Sequence, residues 1–209
     1  MGTIEFSAAV EGLVDEAAAR KIIALAGGVP TGVFGKNGKS FLRKQMRGYN
    51  NAARVAPWLV LVDLDQDADC VPPFLEEWVP DPSPFLCFRV VVREVEAWLM
   101  ADTESLASFL SVPRGKIPSN PEQLPDPKTE MVNLARRSRK KAIREDMTPR
   151  QGSGRAVGPA YASRLIEYIN TTWRPDKAME SAESLRRAVA CLRRTMQNIR
   201  DASTPRRAP

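Results

Sequence analysis

The chain has 209 residues, of which 43% are hydrophobic and 27% are charged, a composition typical of a globular protein with a full core. It contains no histidine, which excludes Ser-His-Asp hydrolysis, Cys-His proteolysis, zinc bound through histidine and any histidine general base. The formal net charge of +6 suggests a polyanionic partner, with ordinary solubility charge as the alternative explanation.

Segments that would direct the chain to a membrane or out of the cell are not found in the sequence. No apolar run approaches the roughly 20 residues that span a bilayer, and the first residues lack the basic and apolar regions of a secretory signal. The three cysteines, Cys70, Cys87 and Cys191, are an odd and scattered set, so we expect a reducing compartment and no disulfide framework. The sequence therefore predicts a cytoplasmic protein.

The first half of the chain alternates short apolar runs with amphipathic segments. Alternation with short connections predicts parallel strands joined by right-handed helical crossovers, an α/β sheet of about four strands. The predicted strands are residues 3–10, 29–34, 59–62 and 85–92, and the predicted helices are residues 15–26, 40–53, 74–78 and 93–102, the last continuing or restarting to residue 110.

The second half of the chain has a different pattern. Residues 111–127 are rich in proline and irregular, residues 130–144 form a very basic predicted helix, and residues 151–155 form a flexible joint. Two more helices are predicted at residues 160–172 and 176–200. We therefore divide the chain into an α/β core, residues 1–110, and a helical extension, residues 111–209, that packs on it.

The third predicted strand ends in a row of aspartates: Asp63, Asp65, Asp67 and Asp69. Crowded carboxylates repel one another unless a positive charge lies between them, and Mg²⁺ (or Mn²⁺) prefers such oxygen ligands. On an extended backbone Asp63 and Asp65 face the same side. The alternative is a polar loop that is acidic by chance, in which Asp67 and Asp69 serve only to shape the turn.

Acidic residues also follow two other predicted strands. Glu11 ends the first strand, and Glu94 and Glu96 follow the fourth. Because the carboxyl ends of parallel strands meet at one edge, we expect these side chains to lie near Asp63 and Asp65, where open α/β sheets bind their ligands. A metal held there can polarise a phosphoryl oxygen and orient a water, which allows a protein without histidine to cut a phosphodiester.

Several segments together resemble a known family. They are residues 10–12 (VEG), 62–65 (VDLD), 93–102 (REVEAWLMAD), 126–128 (DPK), 158–161 (GPAY), Trp173 and 184–185 (SL). The first two resemble the Toprim domain, the metal-binding catalytic module of topoisomerases, bacterial primases and the overcoming-lysogenization-defect nucleases. The others are similar to an uncharacterised bacterial Toprim-like branch of unknown function, often encoded beside ATPases.

The resemblance implies a Toprim-like Rossmannoid fold and a site for Mg²⁺. It implies that Glu11 is a metal ligand or the general acid/base, that Asp63 and Asp65 bind the metal, and that a further acid and a lysine assist. Glu94, Glu96 and Lys128 are the candidates for those assisting roles. The function expected is that of a metal-dependent nuclease or related phosphotransfer enzyme acting on nucleic acid, with an ATPase as the expected partner protein; the alternative is a non-catalytic module that binds nucleic acid or a partner.

Two basic segments are weaker indicators. Residues 35–40 (GKNGKS) are not a P-loop, because the spacing requires glycine where Val33 stands. Residues 136–144 carry six basic side chains, and this density indicates contact with nucleic acid, with a solvated helix face as the alternative.

Overall fold

The computed structural model describes residues 2–65 and 71–203. Its strands are β1 (Glu5–Val10), β2 (Val29–Gly35), β3 (Trp58–Asp63) and β4 (Leu86–Val91). They form one parallel sheet in the order β2-β1-β3-β4. The predicted α/β fold with a parallel sheet of about four strands is therefore confirmed. The predictions for Asp67, Asp69 and Cys70 lie outside the described residues.

Helices cover both faces of this sheet. They are α1 (Leu13–Ala26), α2 (Lys39–Ala52), α3 (Val71–Trp78), α4 (Val95–Ala101), α5 (Thr103–Leu110), α6 (Pro127–Arg136), α7 (Lys141–Met147), α8 (Tyr161–Thr171), α9 (Pro175–Ala178) and α10 (Glu183–Ser203). In the part of the chain that is described, no helix is long and apolar enough to cross a bilayer.

Alternate residues of β1, β3 and β4 face two separate hydrophobic cores. Leu59 and Leu61 of β3 face the larger core, which contains residues of α1 and of every helix from α4 to α10. Val60 and Val62 face a smaller core beneath α2 and α3. The larger core thus includes side chains from both halves of the chain, and it places α6, α8 and α10 beside the sheet.

The basic run between residues 130 and 144, predicted as one helix, forms two. The interruption lies at Ser138, whose buried hydroxyl donates a hydrogen bond to the main-chain oxygen of Leu110 and accepts the N–H of Lys140 at 3.0 Å. A serine side chain that bonds to the backbone in this way competes with the helical hydrogen-bond pattern. The prediction of a continuous helix is therefore wrong between α6 and α7.

Helix α10 packs along β4, the edge strand of the sheet. The N–H of Val92, just beyond β4, donates to the Ser184 hydroxyl at 3.2 Å, and Cys87 of β4 forms a disulfide with Cys191. Helix α10 therefore runs antiparallel to β4. The expectation of no disulfide is wrong for this pair, whose Cα atoms lie 6.0 Å apart although 104 positions separate the residues in the chain.

Candidate functional site

Two of the predicted site residues meet at the carboxyl edge of the sheet. Glu11 directly follows β1 and Asp63 is the last residue of β3, its neighbour in the sheet. The Glu11 carboxylate accepts a hydrogen bond from the main-chain N–H of Asp63 at 2.9 Å. The side chain of Glu11 therefore lies over the end of β3, as the convergence of parallel strands predicts.

Asp63 lies among other acids. Burial raises its pKa well above the ordinary value, and the charges of Asp15, Glu96, Glu11 and Asp65 raise it further. The N–H of Asp63 is used by Glu11, and no described side chain donates a hydrogen bond to the Asp63 carboxylate. An ionised Asp63 is therefore costly without an additional positive charge close to it.

Asp15, in the first turn of α1, was missed as a site residue by the sequence reasoning, which treated it only as the start of a helix. Its side chain is buried, and burial raises its pKa even though the N–H of Gly12 lowers it. The signal available in the sequence was its spacing, because Asp15 follows Glu11 by four residues through a short turn into a helix. Acids in a first helical turn are common, so that signal is weak.

Glu96 is buried in the first turn of α4, where its carboxylate contacts the start of α8. The hydroxyl of Tyr161, at the start of α8, donates to its carboxylate at 3.0 Å. Burial raises the pKa of Glu96 to about 7, and the charge of Glu94 adds to this while that of Lys128 opposes it. The pKa of Glu11 is likewise raised to about 7, mainly by burial. Both carboxyls can therefore gain or lose a proton near neutral pH.

Two lysines lie against the acids from opposite sides. The ammonium of Lys39, in the first turn of α2, is 2.5 Å from a carboxylate oxygen of Asp65. The ammonium of Lys128, in the first turn of α6, is 2.5 Å from Glu94, which also accepts the Lys128 N–H at 2.9 Å. Burial alone would lower the pKa of Lys128, but the charges of Glu96 and Glu94 outweigh it and raise that pKa. Lys128 is therefore a fixed positive charge.

Asp65 differs from the prediction in its backbone. The extended conformation that would place Asp63 and Asp65 on the same side ends at Asp63, and Asp65 adopts a φ of 49°. Arg93 also has a positive φ, 63°; its main-chain oxygen accepts the Asp65 N–H at 2.9 Å and its guanidinium donates to the Asp65 main-chain oxygen at 2.7 Å. The two residues with left-handed backbones, Asp65 and Arg93, are thus hydrogen-bonded to each other, and the side chain of Asp65 reaches Lys39. Such backbone conformations concentrate at functional sites.

A pocket of about 360 Å³ opens beside this cluster. Its lining includes Asp65, Arg93, Glu94 and Lys128. A larger cleft of about 1060 Å³ lies between α9 and α10, with Asp176 in its wall, but it contains none of the clustered acids. We regard the smaller pocket as the functional one because Asp65, Glu94 and Lys128 of the cluster line it.

The carboxylate oxygens at this edge of the sheet are ligands of the type that a hard divalent cation prefers. Six carboxylates, those of Glu11, Asp15, Asp63, Asp65, Glu94 and Glu96, surround the edge of the sheet, and Lys39 and Lys128 are the lysines in contact with them. Within residues 2–65 and 71–203, however, no three acidic or cysteine side chains are arranged to hold a metal ion. Mg²⁺ commonly takes only one or two protein carboxylates and completes its shell with water, so such an arrangement is not required.

Residues of segments 93–102, 158–161 and 184–185 hold the elements around the site. The indole N–H of Trp98 donates to the Ser184 hydroxyl at 2.7 Å, which joins α4 to α10. The buried carboxylate of Asp102 accepts a hydrogen bond from the guanidinium of Arg174 at 2.7 Å. Gly158 packs so closely that a Cβ there would lie 2.3 Å from a main-chain oxygen of α7, so the turn before Tyr161 admits no larger side chain.

The basic run 136–144 lies on the far end of α6 and on α7. Lys140 donates to the main-chain oxygen of Phe109 at 3.1 Å, and Arg144 donates to that of Ser138 at 2.5 Å. Lys141 forms an ion pair with Glu145. Part of this run therefore stabilises helix ends rather than remaining available to a ligand.

No family model, curated protein or solved structure matches this chain.

Proposed function

We propose that the chain is a Mg²⁺-dependent (or Mn²⁺-dependent) nuclease or related phosphotransfer enzyme acting on nucleic acid. The observation that carries the proposal is Asp63, an acid at the carboxyl end of a central strand with Glu11, Asp15 and Glu96 around it. A protein retains such mutually repelling groups at a cost in stability, and perturbed acids beside a pocket are typical of functional sites.

The metal would be held by one or two of the carboxylates predicted from the sequence, those of Glu11, Asp63 and Asp65, with water completing its shell. When bound, it would supply a Lewis acid for a phosphoryl oxygen and lower the pKa of a coordinated water. Its charge would also offset the repulsion that raises the pKa of Asp63.

The side chains around the metal have separate tasks in this proposal. Glu96, with a pKa of about 7, suits the transfer of a proton to or from a reacting oxygen, and Glu11, whose metal-free pKa is also about 7, takes that role where it is not a metal ligand. Lys128 keeps its charge and faces the pocket, where it can bind a phosphate oxygen. Tyr161 holds Glu96 in place through its hydroxyl.

A non-catalytic binding module is the second candidate. It is favoured by the ion pairs of Lys39 with Asp65 and of Lys128 with Glu94, which already neutralise two of the acids. In that case the cluster would bind nucleic acid or a partner, such as an ATPase, without chemistry.

Cleavage assays separate the two candidates. Labelled single- and double-stranded DNA and RNA would be incubated with Mg²⁺ or Mn²⁺, with and without an ATPase encoded beside the gene. Asp63→Asn removes a charge at nearly constant shape and is expected to abolish cleavage while the fold remains intact. Asp176→Asn, on the other cleft, is the matched control and should cleave as the parent does. Equal inactivity of parent and Asp63→Asn in every combination, together with retained binding, would replace the enzyme with the binding module.

A further inference from the structure

Three arginines lie together at the β4 edge of the sheet, outside the acidic cluster. Arg89 lies on β4, two positions from both Cys87 and Val91, so the three side chains are on the same face of the sheet. That face packs against α10. Arg187 and Arg194 are exposed on α10 and lie seven positions apart, which places them on one side of the helix. The two helical arginines flank the disulfide that joins α10 to β4.

Arg89 has a donor that nothing in the described chain satisfies. Its Nε is buried and has no hydrogen-bond partner among the described residues. A buried donor without an acceptor costs stability, and a charged one costs more. Burial lowers the pKa of Arg89, and the charges of Arg187 and Arg194 lower it further, so the three cations are close enough to repel one another.

The nearby acids do not neutralise the charge of the three arginines. Arg187 donates to Glu183 at 2.7 Å, but Glu183 also pairs with Arg186. Across the described chain, no carboxylate pairs with Arg194. The patch therefore keeps an excess of positive charge.

We propose that Arg89, Arg187 and Arg194 form a binding site for the phosphodiester backbone of nucleic acid. Arg187 and Arg194 are about 10 Å apart along the helix axis, at about 1.5 Å per residue, so successive charges of a polyanion contact them better than a single small ion does. Arginine suits phosphate because its planar group presents several donors at once.

The patch is placed to guide such a strand toward the acids. Arg89 pairs with Leu61 across the sheet, and Asp63 pairs with Val91, on the same face of the sheet. Arg89 is thus two residues, or about 7 Å along the strand, from the level of Asp63. The inference rests on the proposed nucleic-acid substrate and names the surface that holds it. The run 136–144 is less suitable because several of its side chains already bond within the protein.

Two double variants on the same helix test the proposal. Arg187→Ala/Arg194→Ala removes two charges from the patch. Arg186→Ala/Arg193→Ala removes two exposed charges from the side of α10 that lines the larger cleft, and is the matched control. Affinity would be measured by fluorescence anisotropy with labelled single- and double-stranded DNA and RNA in EDTA, over a range of salt concentrations.

The patch variant is expected to bind roughly tenfold or more weakly for each arginine removed. Its slope of log K against log salt should fall by about 0.7 to 0.9 for each arginine that contacts a phosphate. The control variant should keep nearly the affinity and the salt slope of the parent. Arg89→Lys, with folding checked by its melting temperature, keeps the charge but removes the planar guanidinium, and it too should bind more weakly.

Equal losses in the two double variants would mean general charge attraction and overturn the proposal. Unchanged affinity in the patch variant would overturn it as well, and would be the result if the patch binds an acidic protein surface. Cleavage separates this inference from the proposed function: patch-dependent binding without cleavage supports the inference and defeats the enzyme. Cleavage with equal kcat/KM in both double variants supports the enzyme and defeats the inference.

Discussion

Replacing Glu96 by Gln should remove one of several contributions to the pH dependence of stability in the metal-free protein, those of Glu11 and Asp63 remaining. The folded-state pKa of Glu96 is about 7, above its ordinary 4.5, so the folded protein holds the proton more tightly than the unfolded chain. That contribution to stability is complete below about pH 4.5 and is lost as the pH rises through about 7. At about 1.4 kcal/mol for each tenfold change in the ionisation constant, the loss is roughly 3 kcal/mol. Glutamine cannot ionise and still presents an oxygen to Tyr161.

Urea unfolding in EDTA at about pH 5 and about pH 8 measures this effect. The parent should lose stability between the two pH values, and Glu96→Gln should lose roughly 3 kcal/mol less. Glu145→Gln, at an exposed position on α7, is the control and should retain the parent's pH dependence. The same loss in the parent and in Glu96→Gln would refute the reasoning, because it would mean that Glu96 is not forced to ionise in a buried site.

Three further substitutions test the surroundings of the site. Gly158→Ala should destabilise the protein by more than about 1 kcal/mol in urea unfolding, since its Cβ would lie 2.3 Å from main-chain oxygen, whereas Gly115→Ala, in open space, should not. Tyr161→Phe removes the donor to Glu96 and should cost about 1–3 kcal/mol at pH 8, with a shift to higher pH in the titration of that carboxyl; an unchanged titration would contradict the contact. Cys191→Ser breaks the cross-link to β4 and should cost about 2–5 kcal/mol under non-reducing conditions, while equal urea midpoints would show that the bond does not form.

The fold was predictable because it follows from local patterns. The apolar run 59–62 ends at Asp63 and forms the buried part of β3, and Gly27 ends α1 in the left-handed conformation that glycine favours. The meeting of Glu11 and Asp63 followed from the geometry of parallel strands alone.

The remaining features depend on contacts between distant parts of the chain. The burial of Asp15 depends on helices that pack over α1, and the contact of Glu96 with Tyr161 joins residues 65 positions apart. The backbone turn at Asp65 depends on its bonds to Arg93. Periodicity carries no information about such contacts, which is also why the pairing of Cys87 with Cys191 was not foreseen.

The most direct test of the metal site is a crystal structure of the protein soaked in Mn²⁺, with the anomalous signal of the metal recorded. The account predicts a peak at the carboxyl edge of the sheet, within about 2.0–2.3 Å of carboxylate oxygens of Glu11, Asp63 or Asp65. In Asp63→Asn crystals soaked in the same way, that peak should be lost or strongly weakened. A parent structure without Mn²⁺ at this edge, or with Mn²⁺ bound only elsewhere, would contradict the account.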